Sequence, residues 1–363
     1  MNASLSISCP LPRQAVMACP GIPSGRYSNR DVRPAERFDH WHAYMAGVYD
    51  TARMPGAPGE TPSEEAIESS QWIFDGLLMV SGRYADLHMS RDQRRLRADP
   101  FDHYAVLVRP SGSQRIDVDG VQTHAGAMQP VLLDMARPFS VEWDSGPGTT
   151  LYLQRAALDA LLPRALDLHG VRLNGASARL LAEHLISLER HLPSMSAESA
   201  PGARRATLHL LAASLAPSVQ SLGLARPASD FGLSQMMRRH VDAHLKDAQL
   251  TAEKLCRQFG VSRSTLYRIF EPMGGVSTYI KRRRLARIHA MLAQPEQRQY
   301  IGRIAQDFGF TSAAHFSRAF LEAFGYRPRE APQRACAPTS RQRAGHAWEA
   351  QGFRAWIDAM GMG

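Results

Sequence analysis

One short pattern occurs twice in the last third of this chain, and it decides how that part folds. The first copy is Leu255-Cys256-x-x-x-Gly260-Val261-Ser262, followed by Leu266 and by Arg268-Ile269-Phe270. The second copy is Ile304-Ala305-x-x-x-Gly309-Phe310-Thr311, followed by Phe316 and by Arg318-Ala319-Phe320. Each copy is typical of a helix, a tight turn and a second helix. A tandem pair of such units predicts a module that places two helices in DNA.

The residues of the first copy explain both its turn and its buried face. Leu250, Leu255 and Phe259 recur at near-helical spacing, so the first helix presents one apolar face. Gly260 supplies the positive φ of the turn, and Ser262 is suited to cap the second helix. The apolar stripe of that second helix consists of Leu266, Ile269 and Phe270, and its outward residues are Arg263, Ser264, Tyr267 and Arg268.

The second copy repeats this arrangement with one additional residue before its buried aromatic ring. Gly309 stands at the turn, and Thr311 is expected to cap the following helix. Phe316, Ala319 and Phe320 form the predicted apolar stripe. The outward residues of this helix are Ser312, Ala314, His315 and Arg318.

Residues 250–330 resemble the DNA-binding domain of the AraC family of bacterial transcription regulators. The matching stretches are Leu250–Leu255, Gly260–Phe270, Arg284–Arg287, Ile304-Ala305, Gly309-Phe310, His315–Phe320 and Phe324–Pro328. The resemblance implies two helix-turn-helix units joined by a long helix over about 277–293, which read two successive segments of the major groove. It departs from the family pattern at Gly274-Gly275 and at Ser277-Thr278, which does not affect the fold. By resemblance, the positions that face bases are Ser264, Tyr267, Arg268, Ala314, His315 and Arg318.

The arginines of this region have more than one possible role. Arg268 and Arg318 occupy equivalent places, where each can donate to guanine, contact a phosphate or remain solvated. The run Lys281-Arg282-Arg283-Arg284 wraps more than one face of the long helix, so only part of it can meet phosphates. We expect Arg282 and Arg283 to do so and Arg284 to lie against the protein. The complete predicted DNA-binding set is Ser262, Arg263, Ser264, Tyr267, Arg268, Arg282, Arg283, Thr311, Ser312, Ala314, His315 and Arg318.

The positive charge of the chain is concentrated in this same region. The full chain has a net charge of +9, whereas residues 226–335 hold 19 Lys and Arg against 9 Asp and Glu. The remaining residues are therefore close to neutral. A strongly basic domain indicates a polyanionic partner, which here is double-stranded DNA.

The preceding region has a different pattern. Between residues 72 and 155, short apolar runs alternate with polar turns, and Asp119-Gly120 is a hairpin signal. This predicts an antiparallel β-barrel or jelly roll, followed by helices at 176–192 and 203–222, so the whole chain is of the α+β class. The layout resembles the cupin-like sensor domain and helical dimerisation region of many AraC-family regulators.

These patterns divide the chain into five expected parts. Residues 1–35 are expected to be poorly ordered, 36–222 to form the ligand-binding and dimerisation domain, and 223–231 to be a linker. Residues 232–335 are the expected DNA-binding domain, and 336–363 form a tail. The aromatic spacing of this tail fits an amphipathic helix that docks back on the protein, but disorder is the equal alternative.

A small-molecule pocket in the strand region has four candidate residues. These are Trp72, Tyr104, Arg109 and Trp143, and each of them could instead belong to the plain core or rim. His88, His103 and His124 raise the question of a cupin metal site, but no His-x-His pair or nearby glutamate completes it. We therefore expect no metal and no cofactor.

The remaining features narrow the function. The chain has four scattered cysteines, no hydrophobic run long enough for a membrane helix and no catalytic motif, which favours a cytoplasmic non-enzyme. The sequence predicts an effector-responsive activator of a catabolic or stress operon, acting as a homodimer with RNA polymerase. The alternatives are a DNA-repair-type enzyme with an attached helix-turn-helix module, and a constitutive DNA-binding protein without an effector.

Overall fold

The computed structural model describes residues 21–54, 65–98, 101–162, 166–222, 229–292, 301–310, 312–324, 326–331 and 352–360. The strands are β1 (Ser24–Ser28), β2 (Asp50–Arg53), β3 (Glu68–Phe74), β4 (Leu77–Tyr84), β5 (Leu87–Arg91), β6 (His103–Val108), β7 (Gln114–Val118), β8 (Val121–Ala125), β9 (Val131–Asp134), β10 (Phe139–Trp143), β11 (Gly146–Gln154) and β12 (Val171–Arg172). The α-helices are α1 (Arg37–Met45), α2 (Gln93–Ala98), α3 (Arg155–Asp159), α4 (Ala176–His191), α5 (Ala200–Leu222), α6 (Ser229–Ala243), α7 (Ala252–Phe259), α8 (Arg263–Phe270), α9 (Val276–Leu292), α10 (Ile301–Asp307), α11 (Ala313–Phe324) and α12 (Phe353–Met360). Single 3-10 turns lie at Pro34–Glu36, Leu192–Ser194, Ala197–Ser199, Glu271–Met273 and Pro328–Glu330.

Two antiparallel sheets form the N-terminal domain, by which we mean the described residues up to 222. The larger sheet has the strand order β1-β3-β4-β11-β6-β9-β12, and the smaller sheet has the order β2-β5-β10-β7-β8. Val80 of the larger sheet and Val141 of the smaller sheet belong to one buried cluster, so the two sheets face each other. They form the double sheet of a jelly roll rather than one closed barrel, which agrees with the predicted α+β, cupin-like fold.

Two tight hairpins set the register of these sheets. Asp119 and Gly120 both have positive φ, 55° and 78°, and they join β7 to β8 where Val118 pairs with Val121. This is the type I′ geometry that the Asp-Gly signal predicts. Asp75 and Gly76 make the same kind of turn between β3 and β4, with φ of 46° and 77°.

Both sides of the larger sheet are covered, because successive residues of a strand point to opposite faces. Ile73 and Leu78 point into the core between the sheets, whereas Phe74 and Leu77 belong to a second core. The helices α4 and α5 close this second core with their apolar faces. Their contributing leucines include Leu181, Leu185, Leu208, Leu211 and Leu215.

The helices α6 to α11 form the C-terminal module around a core of their own. Leu266 and Phe270 of α8 and Phe316 and Phe320 of α11 are fully buried there, as the two predicted stripes require. The connecting helix α9 runs through the same core and begins and ends within one residue of its predicted bounds.

The structure corrects one expectation about the termini and favours one of two alternatives for the other. Residues 24–28, inside the segment expected to be poorly ordered, form β1, because they pair with residues 68–72 of β3 along a sheet edge. Residues 1–20 lie outside the described residues. At the other end, residues 353–360 form α12 and dock on the N-terminal domain, which favours the helical alternative for that part of the tail.

A search of the described helices for one long and apolar enough to cross a membrane found none.

Candidate nucleic-acid interface and the cavity of the N-terminal domain

Capping hydrogen bonds define the start of both helices of the first helix-turn-helix unit. The Oγ1 of Thr251 accepts a hydrogen bond from the backbone N–H of Lys254 at the start of α7. Gly260 follows α7 in the left-handed conformation, with φ of 63°, which residues other than glycine rarely adopt. The Oγ of Ser262 then accepts from the N–H of Thr265, 3.2 Å away, and so caps α8 as predicted.

One face of α8 is polar and exposed. Its exposed residues are Arg263, Ser264, Tyr267 and Arg268, and the Tyr267 side chain is 52% accessible. The face predicted to meet DNA is therefore the face that the fold leaves open.

The second unit has the same geometry with a shifted cap. Gly309 takes a positive φ of 74° after α10, as predicted. Thr311, the expected cap, lies outside the described residues. Ser312 directly precedes α11, and its Oγ accepts from the N–H of His315 at 3.1 Å, which is the hydrogen bond of an N-cap. The additional residue of the second copy thus moves the cap by one position.

The exposed face of α11 corresponds to that of α8. Ser312, Ala314, His315 and Arg318 are all exposed, while the buried residues of the helix face the module's core. The two helices present their polar faces from one shared core, so their separation is fixed by packing rather than by a linker.

The arginines of α9 are placed differently from the prediction. The Nε of Arg283 donates to Asp242 at 2.6 Å, and its Nη1 lies 3.3 Å from Asp102 of the N-terminal domain. Arg282 lies over the Tyr279 ring, 5.6 Å from its centroid, and both arginines are half-buried. In this arrangement Arg283 is engaged by two carboxylates and Arg282 by an aromatic ring, and phosphate contact by either residue stays a prediction. Arg284 donates to the carbonyls of Leu245 and Asp247, so it lies against the protein as expected.

Comparison with known protein families supports both parts of the chain. A model described as a helix-turn-helix domain matches residues 255–334. A second model, described as an AraC-binding-like domain, matches residues 71–216. The chain belongs to the AraC family.

Individual AraC-type relatives agree with this assignment. The chain is 24% identical to the transcriptional activator NphR of a Rhodococcus species over 264 residues, which cover 70% of this chain and 77% of NphR. The crystal structure of the AraC-like transcriptional activator CuxR matches with 29% identity and a TM-score of 0.52, over 72% of this chain and 94% of CuxR. Membership of this family makes the chain a DNA-binding transcription regulator.

A buried ion cluster joins the two parts of this AraC-type chain. We call it the interdomain cluster and define it as Asp102, Arg155, Arg238, Tyr279 and Arg283. Asp102 accepts from Arg155 at 2.8 Å and lies 3.3 Å from both the Tyr279 hydroxyl and Arg283. Burial alone would raise the pKa of the Asp102 carboxyl, but Arg155, Arg283 and Arg238 outweigh it and hold that pKa well below its usual range. Asp102 is therefore a charged carboxylate shared by both domains.

The interdomain cluster could not be predicted from local patterns, because its members come from distant parts of the chain. Asp102 and Tyr279 are 177 residues apart. A second link lies beside it, where Arg239 of α6 donates to the backbone oxygen of Asp159 at 2.7 Å.

A small cavity lies between the two sheets of the AraC-type N-terminal domain. Its lining is mainly aromatic and carries no charged side chain. Two polar atoms of lining residues, Trp41 Nε1 and Gln71 Oε1, have no hydrogen-bond partner among the described residues. The lining residues are Trp41, Tyr44, Met45, Ser69, Gln71, Val80, Tyr84, Met89, Trp143, Thr150, Tyr152 and Phe353.

The four residues predicted to line a pocket have different places. Trp143 lines the cavity, and buried Arg109 lies behind it, with its guanidinium carbon 5.4 Å from the Trp143 ring. Burial lowers the pKa of Arg109, whose Nε and Nη1 have no hydrogen-bond partner in the described structure. Trp72 and Tyr104 do not line the cavity, because they point to the opposite face of the larger sheet and belong to the core under α4 and α5.

Proposed function

We propose that this chain activates transcription from a promoter that it binds through α8 and α11, and that a small molecule in the cavity controls this binding. The observation that carries the proposal is the pair of equivalent polar faces on α8 and α11. Each follows a left-handed glycine, each helix begins at a capping serine, and both helices pack on one core.

The expected binding mode follows from this pair. Two recognition helices held on one core suit two successive major-groove segments, about 34 Å or one DNA turn apart. Arg268 and Arg318 are suited to donate to guanine, which gives base selection. The serines at the helix starts, Ser262 and Ser312, are suited to phosphates, because the first N–H groups of a helix attract anions.

The regulatory part of the proposal rests on the cavity. Its largely apolar lining with a few unpaired polar atoms is typical of small-molecule sites. The occupant would act as the effector by binding more tightly to one arrangement of the two domains. We further propose a homodimer through α4 and α5, where Leu180 is 55% exposed, and contact with RNA polymerase at a catabolic or stress promoter.

Selection of bound sequences from a random DNA library tests the proposal. The full-length chain is used with and without a mixture of metabolites. The expected result is a motif with two blocks about ten base pairs apart, whose recovery changes with the mixture. A motif that ignores the mixture would favour a constitutive DNA-binding protein, and sequence-independent recovery would contradict base reading altogether.

A pair of double variants provides the matched control. Arg268→Ala with Arg318→Ala removes one arginine from each recognition helix and should abolish the motif. Arg83→Ala with Arg115→Ala removes the same charge from exposed positions of β4 and β7, away from the proposed dimer helices, and should leave it intact. Equal loss in both double variants would mean that net charge, rather than the two faces, accounts for binding.

A further inference from the structure

The helix α12 completes the N-terminal domain although it follows the C-terminal module in sequence. Its buried residues, Phe353, Trp356, Ile357 and Met360, recur at helical spacing and form a single face. All four belong to the core between the two sheets. These four side chains are therefore part of the hydrophobic core of the N-terminal domain.

The N-terminal domain has room for this helix at two glycines. A Cβ atom at Gly25 would lie 2.4 Å from the Trp356 ring, and a Cβ at Gly47 would lie 2.8 Å from the Cβ of Arg354. Either approach is closer than packed atoms tolerate, so any larger residue would displace α12. The surface is thus shaped to the first half of the helix.

Phe353 is the residue of α12 that lines the cavity. It is 1% exposed, and its ring lies 6.1 Å from the Tyr44 ring and 5.6 Å from the Tyr152 ring, centroid to centroid. Both tyrosines also line the cavity. The next residue, Arg354, lies over the ring of Phe101, which directly precedes Asp102 of the interdomain cluster.

We propose that α12 is the closing wall of the effector cavity and that Phe353 sets the size of molecule that the cavity accepts. This inference rests on the proposed effector function. The lining also specifies the ligand class. No charged side chain lines the cavity, and buried Arg109 lies behind Trp143 rather than at the cavity surface, so a charged ligand would meet no direct counter-ion. A hydroxyl can instead accept from Trp41 Nε1 and donate to Gln71 Oε1. The fitting class is a small uncharged aromatic alcohol.

Occupancy of the cavity and docking of α12 are then linked. A molecule that touches Phe353 gains contacts only while the helix is docked, so it must stabilise the docked state. The helix α12 also reaches Phe101 beside the interdomain cluster. Stronger docking of α12 should therefore alter the contact between the N-terminal domain and the C-terminal module.

Calorimetric titration of the full-length chain with benzyl alcohol and 4-butylbenzyl alcohol tests this wall. Wild type should prefer benzyl alcohol, and Phe353→Ala should shift the ratio of the two Kd values at least tenfold toward the larger probe. Ile357→Ala is the matched control, because Ile357 is buried on the same helix but does not line the cavity. It should weaken both probes alike and leave their ratio unchanged.

Each result decides the proposal. An unchanged ratio in Phe353→Ala, or an equal shift in Ile357→Ala, would contradict the role of Phe353 in setting ligand size. Either result would still allow an effector site in the cavity. Benzoate binding as tightly as benzyl alcohol would overturn the uncharged class. Binding of no probe to any variant would overturn both the wall and the cavity as an effector site, but not DNA binding, which the library selection measures.

A second measurement needs no variant and covers the case in which Phe353→Ala does not fold. Hydrogen exchange of the α12 backbone amides in wild type should slow severalfold when benzyl alcohol saturates the cavity. Unchanged exchange in α12 at saturation would contradict the linkage.

Discussion

The arginines of the recognition helices and those of the connecting helix carry the same charge in opposite surroundings. Arg268 and Arg318 are exposed on α8 and α11, on faces that the module's core leaves open. Arg282 and Arg283 of α9 are half-buried, and Arg283 pairs with acidic groups of both domains. The net charge of the module therefore overstates the charge available to DNA in this arrangement.

The arginines of α9 therefore have two possible partners, the carboxylates of the protein and the phosphates of DNA. The carboxylate of Asp102 competes for Arg283 with any phosphate that would reach the same face of α9. Four experiments sharpen or break the comparison, beginning with the largest expected effect.

Removal of Asp102 should have the largest effect. Asp102→Ala removes the carboxylate that buried Arg155 and half-buried Arg283 share, while Asp134 still pairs with Arg155 and Asp242 with Arg283. The free energy of unfolding of the N-terminal domain should therefore fall by about 3 kcal/mol, the lower end of the range for breaking a buried ion pair. Urea unfolding followed by circular dichroism measures it. Glu183→Ala, which breaks an exposed pair with Arg179, is the control and should cost about 0.5 kcal/mol or less. A loss of that small size for Asp102→Ala would show that the cluster does not hold the fold.

The exposed arginines should act on DNA instead. Arg268→Ala should weaken binding to the selected motif by about 1–3 kcal/mol and relax the choice of one base pair. Competition titrations with single-base variants of the motif would measure this. Weakening by the same factor on every sequence would mean that Arg268 contacts a phosphate.

Two buried histidines should make the stability of the folded chain depend on pH. Burial lowers the pKa of both His103 and His289 to about 4 from the usual 6.5. The unfolded chain takes up these protons as the pH falls below 6.5, but the folded chain does so only near 4. Each histidine therefore contributes stability that is complete above pH 6.5 and is lost toward pH 4, at up to about 1.4 kcal/mol per pH unit.

Urea unfolding at several pH values between 7 and 4 tests this dependence. His289→Gln should make the stability of the C-terminal module less dependent on pH. An identical pH profile for His289→Gln and wild type would exclude His289 as a source of the acid sensitivity.

The smallest expected effect concerns Arg283 of α9, which either stays in the interdomain cluster or contacts a DNA phosphate. If the interdomain cluster persists on DNA, Arg283→Gln should leave the slope of log K against log salt concentration unchanged. If Arg283 instead contacts a phosphate, as its sequence pattern predicts, the slope should fall by about 1. The latter result would show that the C-terminal module leaves the N-terminal domain when it binds DNA.

The sequence predicted the helix-turn-helix units well because their signals are local. A positive φ at Gly260 and a cap at Ser262 depend on a few neighbouring residues, and both are confirmed. The second cap was assigned to Thr311, one residue before Ser312, because the additional residue of that copy could be placed on either side of it.

The N-terminal domain was harder to predict because its contacts are distant. Trp72 and Trp143 are both buried aromatic residues of strands, but only Trp143 faces the cavity. Since both faces of the larger sheet are apolar, the sequence of β3 does not indicate which face borders a cavity. Asp102 gave no signal either, because its partners lie more than a hundred residues away in the module.

The docking of α12 makes the N-terminal domain discontinuous, with the DNA-binding module inserted into it. Cutting the chain after residue 222, the natural choice for isolating a sensor, would remove the segment that fills the space against Gly25 and Gly47. The fragment would expose apolar surface there and lack one side of its cavity. The chain enters and leaves the inserted module from the N-terminal domain, so the module is tethered at both ends. Any movement of the module toward DNA is therefore more restricted than that of a domain attached by one linker.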